Sequence, residues 1–102
     1  MTDHPDHAER AVIYSRVSDW TQAGAGAARA AQLAWCEAKA AEIGAGVVGR
    51  FDDHDGAGWE GLSQAVESCK ALGAVLVIYN SQAIAEATDL VAGIEVLVCQ
   101  AC

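Results

Sequence analysis

The apolar residues of the chain are concentrated in four short runs, which are separated by longer segments of mixed character. The runs are Ala11–Tyr14, Val47–Phe51, Ala74–Tyr79 and Ile94–Cys99. Short runs with few polar positions are typical of strands that are covered on both faces, as in a parallel sheet. We therefore interpret all four runs as β-strands.

The segments between the runs have the three- and four-residue spacing of helices. Helices are predicted over Ala27–Ile43 and Leu62–Leu72, and a third begins after Asn80 or Ser81 and ends at Gly93. Their apolar positions are, in order, Leu33, Cys36, Ala40 and Ile43; Leu62, Ala65, Val66, Cys69 and Leu72; and Ile84, Ala87 and Val91.

The resulting order β-α-β-α-β-α-β predicts a three-layer α/β fold, in which a mostly parallel four-stranded sheet has helices on both faces. With 102 residues, the chain is long enough for one core and too short for two. Residues 1–10 are polar and are predicted to form a flexible tail, so the folded domain comprises residues 11–102. The tail has no secretory signal, and the longest apolar run is too short to span a membrane. The four cysteines are expected to be reduced thiols in a cytoplasmic protein.

The charge of the chain bears on its partners. Six Lys and Arg residues stand against fourteen Asp and Glu residues, which gives a net charge of −8. No basic residue follows Lys70. Because DNA binding depends mainly on basic groups that neutralise phosphates, we do not expect this domain to bind DNA on its own.

The most informative stretch follows the first strand. Tyr14-Ser15-Arg16-Val17-Ser18, with Gln22 after it, resembles the Y-x-R-V-S-x-x-x-Q opening of the serine recombinases (resolvases and invertases). In that family the serine is a nucleophile that breaks a DNA strand by forming a phosphoserine link. The resemblance extends over Ala11–Val98 and implies a resolvase-like fold.

The same resemblance implies roles for individual residues. Ser18 matches the nucleophile, Arg16 the first arginine, and Gln22 the nearby amide of the family. Asp53, or else Asp52, matches the acidic residue that follows the second strand. These residues form the candidate catalytic site.

The sequence departs from the family pattern where further arginines are expected. Trp59-Glu60 stands in place of R-P before the second helix, and Gln82 and Ala85 occupy the two arginine positions after the third strand. Phosphoryl transfer depends on cations that stabilise the charge developing on the phosphate oxygens. The loss of three expected cations therefore predicts impaired strand cleavage.

These departures favour a recombinase-like domain that acts as a protein-interaction or regulatory module. Its expected partner is a second copy of the chain or a full-length recombinase, and no helix-turn-helix DNA-binding domain is predicted. An alternative is an active recombinase in which Ser18 links to DNA and a partner supplies the missing contacts. If the family activity is lost, we expect Arg16 to pair with Asp52, Asp53 or Asp55 across the strand ends.

Metal binding is a second alternative. The acidic segment Asp52–Asp55 could hold Mg²⁺ for phosphotransfer chemistry, although a solvated acidic loop has the same composition. Cys99 and Cys102 have the spacing of metal ligands, but a single pair at a chain end is a weak signal, and free thiols are the simpler interpretation. The sequence has no glycine-rich phosphate-binding loop, and no cofactor is predicted.

Overall fold

The computed structural model describes residues 10–17, 25–54, 58–79, 84–85 and 87–99, with side chains at all of these except 17, 25–29 and 54. Two α-helices alternate with the strands, and a short 3₁₀ helix precedes the last strand. In chain order the elements are β1 (Arg10–Val17), α1 (Ala25–Glu42), β2 (Gly46–His54), α2 (Glu60–Leu72), β3 (Val75–Ile78), the 3₁₀ helix (Thr88–Val91) and β4 (Val96–Val98).

The four strands form one sheet in the order β2-β1-β3-β4, and every neighbouring pair is parallel. The predicted four-stranded α/β fold is thereby confirmed. The first two strands are longer than predicted, because β1 runs on to Val17 and β2 to His54. Arg16 and Asp53 therefore lie within adjacent strands, where their Cα atoms are register partners. β1 also begins at Arg10, one residue inside the segment predicted as a tail, and residues 1–9 lie outside the described part.

The two faces of the sheet carry separate halves of the core, since successive strand residues point to opposite faces. One half packs against α1 and the other against α2, which confirms helices on both faces. The strand residues on the α1 side are Ala11, Ile13, Val75 and Val77, and those on the α2 side are Val12, Tyr14, Leu76 and Ile78.

The connection between β3 and β4 differs from the prediction. Its described residues contain no α-helix: Thr88–Val91 form a 3₁₀ helix and Ile84 also has 3₁₀ geometry, although Ile84 and Ala87 are buried as expected. Threonine and aspartate are weak helix formers, and Gly93, with a φ of 91°, ends the segment soon afterwards. Leu72 is also more exposed than predicted, at 42 %, because it is the last residue of α2, where the chain turns at Gly73. In the described part of the chain, no helix is both long and apolar enough to cross a membrane.

Candidate active site

The candidate site lies where β1 and β2 end beside the start of α2. Tyr14 and Arg16 are two residues apart on β1, and they therefore point to the same face of the sheet. This is the face that α2 covers, as the packing of Tyr14 against α2 shows. Because β1 and β2 are parallel neighbours, the carboxyl end of β2 brings Asp53 to the same place.

The Asp53 carboxylate is the centre of the site. Its Oδ2 accepts a hydrogen bond from the Tyr14 hydroxyl at 2.8 Å and one from the Leu62 backbone N–H at 3.0 Å. Its Oδ1 accepts a hydrogen bond from the Gly61 N–H at 3.0 Å. The residue is only 8 % exposed, so these bonds satisfy a charge that would otherwise be costly to bury.

Asp53 also supplies the cap that α2 lacks at its amino end. The residue before α2 is Trp59, whose side chain makes no capping hydrogen bond. The first N–H groups of a helix have no partner within the helix and usually bond to a capping side chain. Two of these donors, on Gly61 and Leu62, are satisfied from a different element by Asp53. Glu60, in the first turn, adds a second negative charge at this positive end of the helix dipole.

A glycine makes this approach possible. A Cβ atom placed on Gly61 would overlap the Asp52 carbonyl oxygen and would lie 3.0 Å from Cγ of Asp53. Real Cβ atoms are almost never found so close to backbone atoms. The start of α2 can therefore pack against the end of β2 only with glycine at this position.

The Arg16 side chain contacts neighbours on several elements. Its Nη1 donates to the Tyr14 hydroxyl at 3.1 Å and to the Gly58 carbonyl at 3.4 Å, and it lies 3.9 Å from Oδ2 of Asp53. Its guanidinium carbon lies 3.9 Å from the centroid of the Trp59 ring, within the range of a cation–π interaction. The side chain is 11 % exposed. Arg16 therefore bridges β1, β2 and the entry to α2.

Tyr14 connects the two charged groups. Its hydroxyl accepts a hydrogen bond from Arg16 and donates one to Asp53. Burial raises the pKa of the Tyr14 hydroxyl well above its usual range, and the adjacent Asp53 acts in the same direction. The hydroxyl therefore keeps its proton at neutral pH and serves as a donor to the carboxylate.

The structure thus brings together two of the predicted site residues, Arg16 and Asp53, and pairs the arginine with Asp53. The other predicted catalytic residues, Ser18 and Gln22, lie outside the described residues, as does Gln82. Ala85, at the second expected arginine position, is exposed. Five residues of the network were not predicted to belong to it: Tyr14, Gly58, Trp59, Gly61 and Leu62. The two-residue spacing of Tyr14 and Arg16 is a signal that could have identified the tyrosine.

The proposed metal ligands lie partly within the described residues. Asp55 and Cys102 lie outside the described residues, and the His54 side chain is not described. Within the described chain, no group of three or more His, Cys, Asp or Glu side chains is arranged to hold a metal ion. Both oxygens of Asp53 already accept hydrogen bonds from the protein.

Comparison with solved structures defines the class to which this fold belongs. The chain has the fold of a serine recombinase catalytic domain. The solved structure in question is the C-terminal catalytic domain of ISC1926 TnpA, an IS607-like serine recombinase. It is similar with a TM-score of 0.66 and 22 % sequence identity, covering 87 % of this chain and 67 % of that chain. At this identity the likeness establishes the fold alone.

A second solved structure is less similar. The lac repressor dimer bound to operator and the anti-inducer ONPF has a TM-score of 0.45 and 17 % identity, covering 89 % of this chain and 31 % of that chain. A TM-score this low supports no conclusion about shared function. No protein-family model and no curated protein matches the sequence.

Proposed function

We propose that this chain is a serine recombinase-like domain in which DNA strand cleavage is impaired and which acts as a protein-interaction or regulatory module. The Y-S-R-V-S motif at Tyr14–Ser18 and the recombinase fold support the recombinase origin. The surroundings of Arg16 support the impairment.

The observation that carries the proposal is how Arg16 is engaged. To stabilise a phosphoryl transition state, a guanidinium must direct its N–H groups towards the phosphate oxygens. In this chain Nη1 of Arg16 instead donates to Tyr14 and Gly58, and the Asp53 carboxylate balances its charge. The Trp59 ring lies against the guanidinium. Arg16 therefore has the contacts of a structural bridge.

Two other described cations, Lys39 and Arg50, are also engaged by carboxylates. Lys39 pairs with Glu42 at 3.5 Å, and Arg50 pairs with Glu37 at 2.8 Å. Both pairs join a cation to an acidic residue of the same domain, and neither creates a basic surface. Glu60, at the start of α2, would further repel a phosphate approaching the site.

Strand cleavage can be tested directly. The chain and its Ser18→Ala variant are incubated with end-labelled, nicked and supercoiled DNA, and covalent protein–DNA adducts are separated on denaturing gels. An active serine recombinase on its own DNA site is the positive control. We expect no adduct with either protein. An adduct formed by the unmodified chain and absent with Ser18→Ala would overturn the proposed impairment.

A second candidate is an active recombinase domain that needs a partner, and the retained pair of Arg16 and Ser18 favours it. The same experiment distinguishes the two when a full-length recombinase with its own serine replaced by alanine is added. An adduct to this chain under those conditions supports the second candidate. Association with that recombinase in sedimentation, without an adduct, supports the interaction module, whereas the absence of any association contradicts it.

A metal-dependent phosphotransfer domain based on Asp52–Asp55 has less support, because the Asp53 oxygens are occupied by N–H and O–H donors. A cation would have to displace donors that also begin α2. We expect calorimetric titration with Mg²⁺ or Mn²⁺ to show neither heat of binding nor a thermal shift. A stabilising shift that is lost in Asp55→Asn would support the metal site.

A further inference from the structure

Two cysteines lie together on the α1 side of the sheet, away from the candidate active site. Cys36 is fully buried on α1, and Cys99, directly after β4, is partly buried against the same core cluster. The Cys99 backbone N–H donates to the Ile78 carbonyl at 2.9 Å, so the sheet fixes its position. The Cys99 thiol lies 3.6 Å from the carbonyl oxygen of Trp35, the residue before Cys36. Burial and, after it, the neighbouring Cys99 thiol raise the pKa of Cys36, so the two thiols are close enough to interact.

We propose that Cys36 and Cys99 form an oxidation site, at which a small-molecule disulfide converts the two thiols into a disulfide that links β4 to α1. Both cysteines are free thiols in the structure. Their contact brings together positions that are far apart in the sequence. The pair needs no other cysteine of the chain.

The exposure of the two residues determines the order of the steps. Cys99 is accessible, and its thiolate attacks one sulfur of the small disulfide. One small thiolate leaves and takes up the proton that Cys99 lost. Cys36 then loses its proton, and its sulfur attacks the Cys99 sulfur of the mixed disulfide. The second small thiol leaves with that proton, so two protein thiols are oxidised and one small disulfide is reduced to two thiols.

The disulfide would attach the short edge strand β4 to α1. β4 has three residues and, among the described elements, pairs only with β3. A disulfide between Cys36 and Cys99 closes a loop that contains most of the domain, and long loops restrict the unfolded chain most strongly. The oxidised protein should therefore have a higher melting temperature than the reduced protein.

The experiment uses the full chain with Cys102→Ser, because Cys99 and Cys102 fall in the same tryptic peptide. The protein is incubated with oxidised glutathione at about pH 8.5, where more thiolate is present, and is then quenched with acid. We expect a mass lower by two hydrogen atoms. Under non-reducing conditions we expect the peptide of residues 30–39 to be linked to that of residues 71–102, and the melting temperature to rise until a reductant is added.

Cys69→Ala is the matched control, since Cys69 lies in the core half on the opposite face of the sheet. This variant should form the same link, whereas Cys36→Ala should stop at the glutathione adduct on Cys99. Three outcomes would overturn the proposal. The first is a lasting glutathione adduct in the protein that retains both Cys36 and Cys99, and the second is a disulfide to Cys69. The third is that the folded protein does not react under conditions in which the urea-unfolded protein is oxidised.

Discussion

At the scale of single residues, Asp53 determines how the candidate site is built. One carboxylate accepts hydrogen bonds from a tyrosine hydroxyl and from two backbone N–H groups of α2, and it faces the Arg16 guanidinium. All of these donors converge on a position that is nearly inaccessible to water. A buried group with so many partners is more costly to remove than any one of its bonds suggests, because each partner is left unsatisfied.

We expect Asp53→Ala to destabilise the domain by about 3 kcal/mol or more, because Tyr14, Gly61 and Leu62 lose their acceptor and Arg16 loses a neighbouring carboxylate. Urea unfolding followed by circular dichroism measures this change. Asp89→Ala is the control: Asp89 is exposed in the 3₁₀ helix, and its replacement should change stability by no more than about 0.5 kcal/mol. Equal effects of the two substitutions would contradict the central role of Asp53.

The charged residues of this network could be predicted from the sequence, but their present arrangement could not. Arg16 and Asp53 were identified from the resemblance to the serine recombinases, at positions that follow apolar runs, and the carboxyl ends of parallel strands meet at one edge of the sheet. Which acidic residue faces Arg16 depends on the register of β1 and β2, which includes a shift between Ala11 and Val12. The stacking of Trp59 depends on the path of the chain into α2, for which the sequence offers no periodic signal.

At the scale of elements, α2 is attached to the sheet at both ends. Asp53 of β2 accepts from its first N–H groups, and Arg10 of β1 donates to the Leu72 carbonyl at its last turn, at 3.0 Å. A negative group at the amino end and a positive group at the carboxyl end both interact favourably with the helix dipole. These tertiary contacts replace the local caps that α2 lacks at its amino end.

The close contact at Gly61 reverses the usual effect of a glycine-to-alanine substitution on the stability of a helix. Replacing glycine by alanine inside a helix normally stabilises it by up to about 1 kcal/mol. We expect Gly61→Ala instead to destabilise the domain by about 1–2 kcal/mol, because the added methyl group meets the Asp52 backbone and pushes α2 away from Asp53. Gln64→Ala, at an exposed position of the same helix, should be neutral or slightly stabilising in the same urea titration. A stabilising effect of Gly61→Ala would show that the contact can relax.

The helices and strands that have a regular apolar pattern were the ones that the sequence predicted correctly. Both α-helices and all four strands occur where the apolar pattern indicated, because buried faces need apolar residues at regular spacing. The prediction of a third α-helix was wrong in its described part. Ile84, Ala87 and Val91 fit a helical spacing, yet Ile84 and Ala87 are buried in a connection whose described helical residues are 3₁₀. Three apolar positions are too few to distinguish these structures.

At the scale of the whole molecule, the distribution of charge fits the proposed loss of DNA chemistry. The chain carries a net charge of −8, and three of its described cations, Arg16, Lys39 and Arg50, each face a carboxylate of the same chain. An acidic surface repels the phosphate backbone at long range. Contacts with DNA would therefore have to come from a partner, which is consistent with a domain that works through protein association.

One tyrosine hydroxyl and three cysteine thiols predict how the stability of the domain depends on pH. Burial raises the pKa of Tyr14, Cys36, Cys69 and Cys99, and for Cys69 the pKa moves from its ordinary value of 9.0 to about 11. The unfolded chain therefore releases these protons at a lower pH than the folded domain does. The stability that these groups contribute is fully present below about pH 9 and is lost as the pH rises through the folded-state values.

We expect the free energy of unfolding to fall steeply above pH 9, and the contribution of one residue can be isolated. Between pH 9 and pH 11, Cys69 should add up to about 1.4 kcal/mol per pH unit to the slope. In Cys69→Ala that part of the slope should disappear. The substitution also changes the stability by an amount that does not depend on pH, and this amount does not affect the slope. Urea titrations of both proteins at several pH values, under reducing conditions, measure the two slopes. Parallel curves would mean that Cys69 ionises equally readily in the folded and unfolded chains, and that its burial in the α2-side core is not maintained in solution.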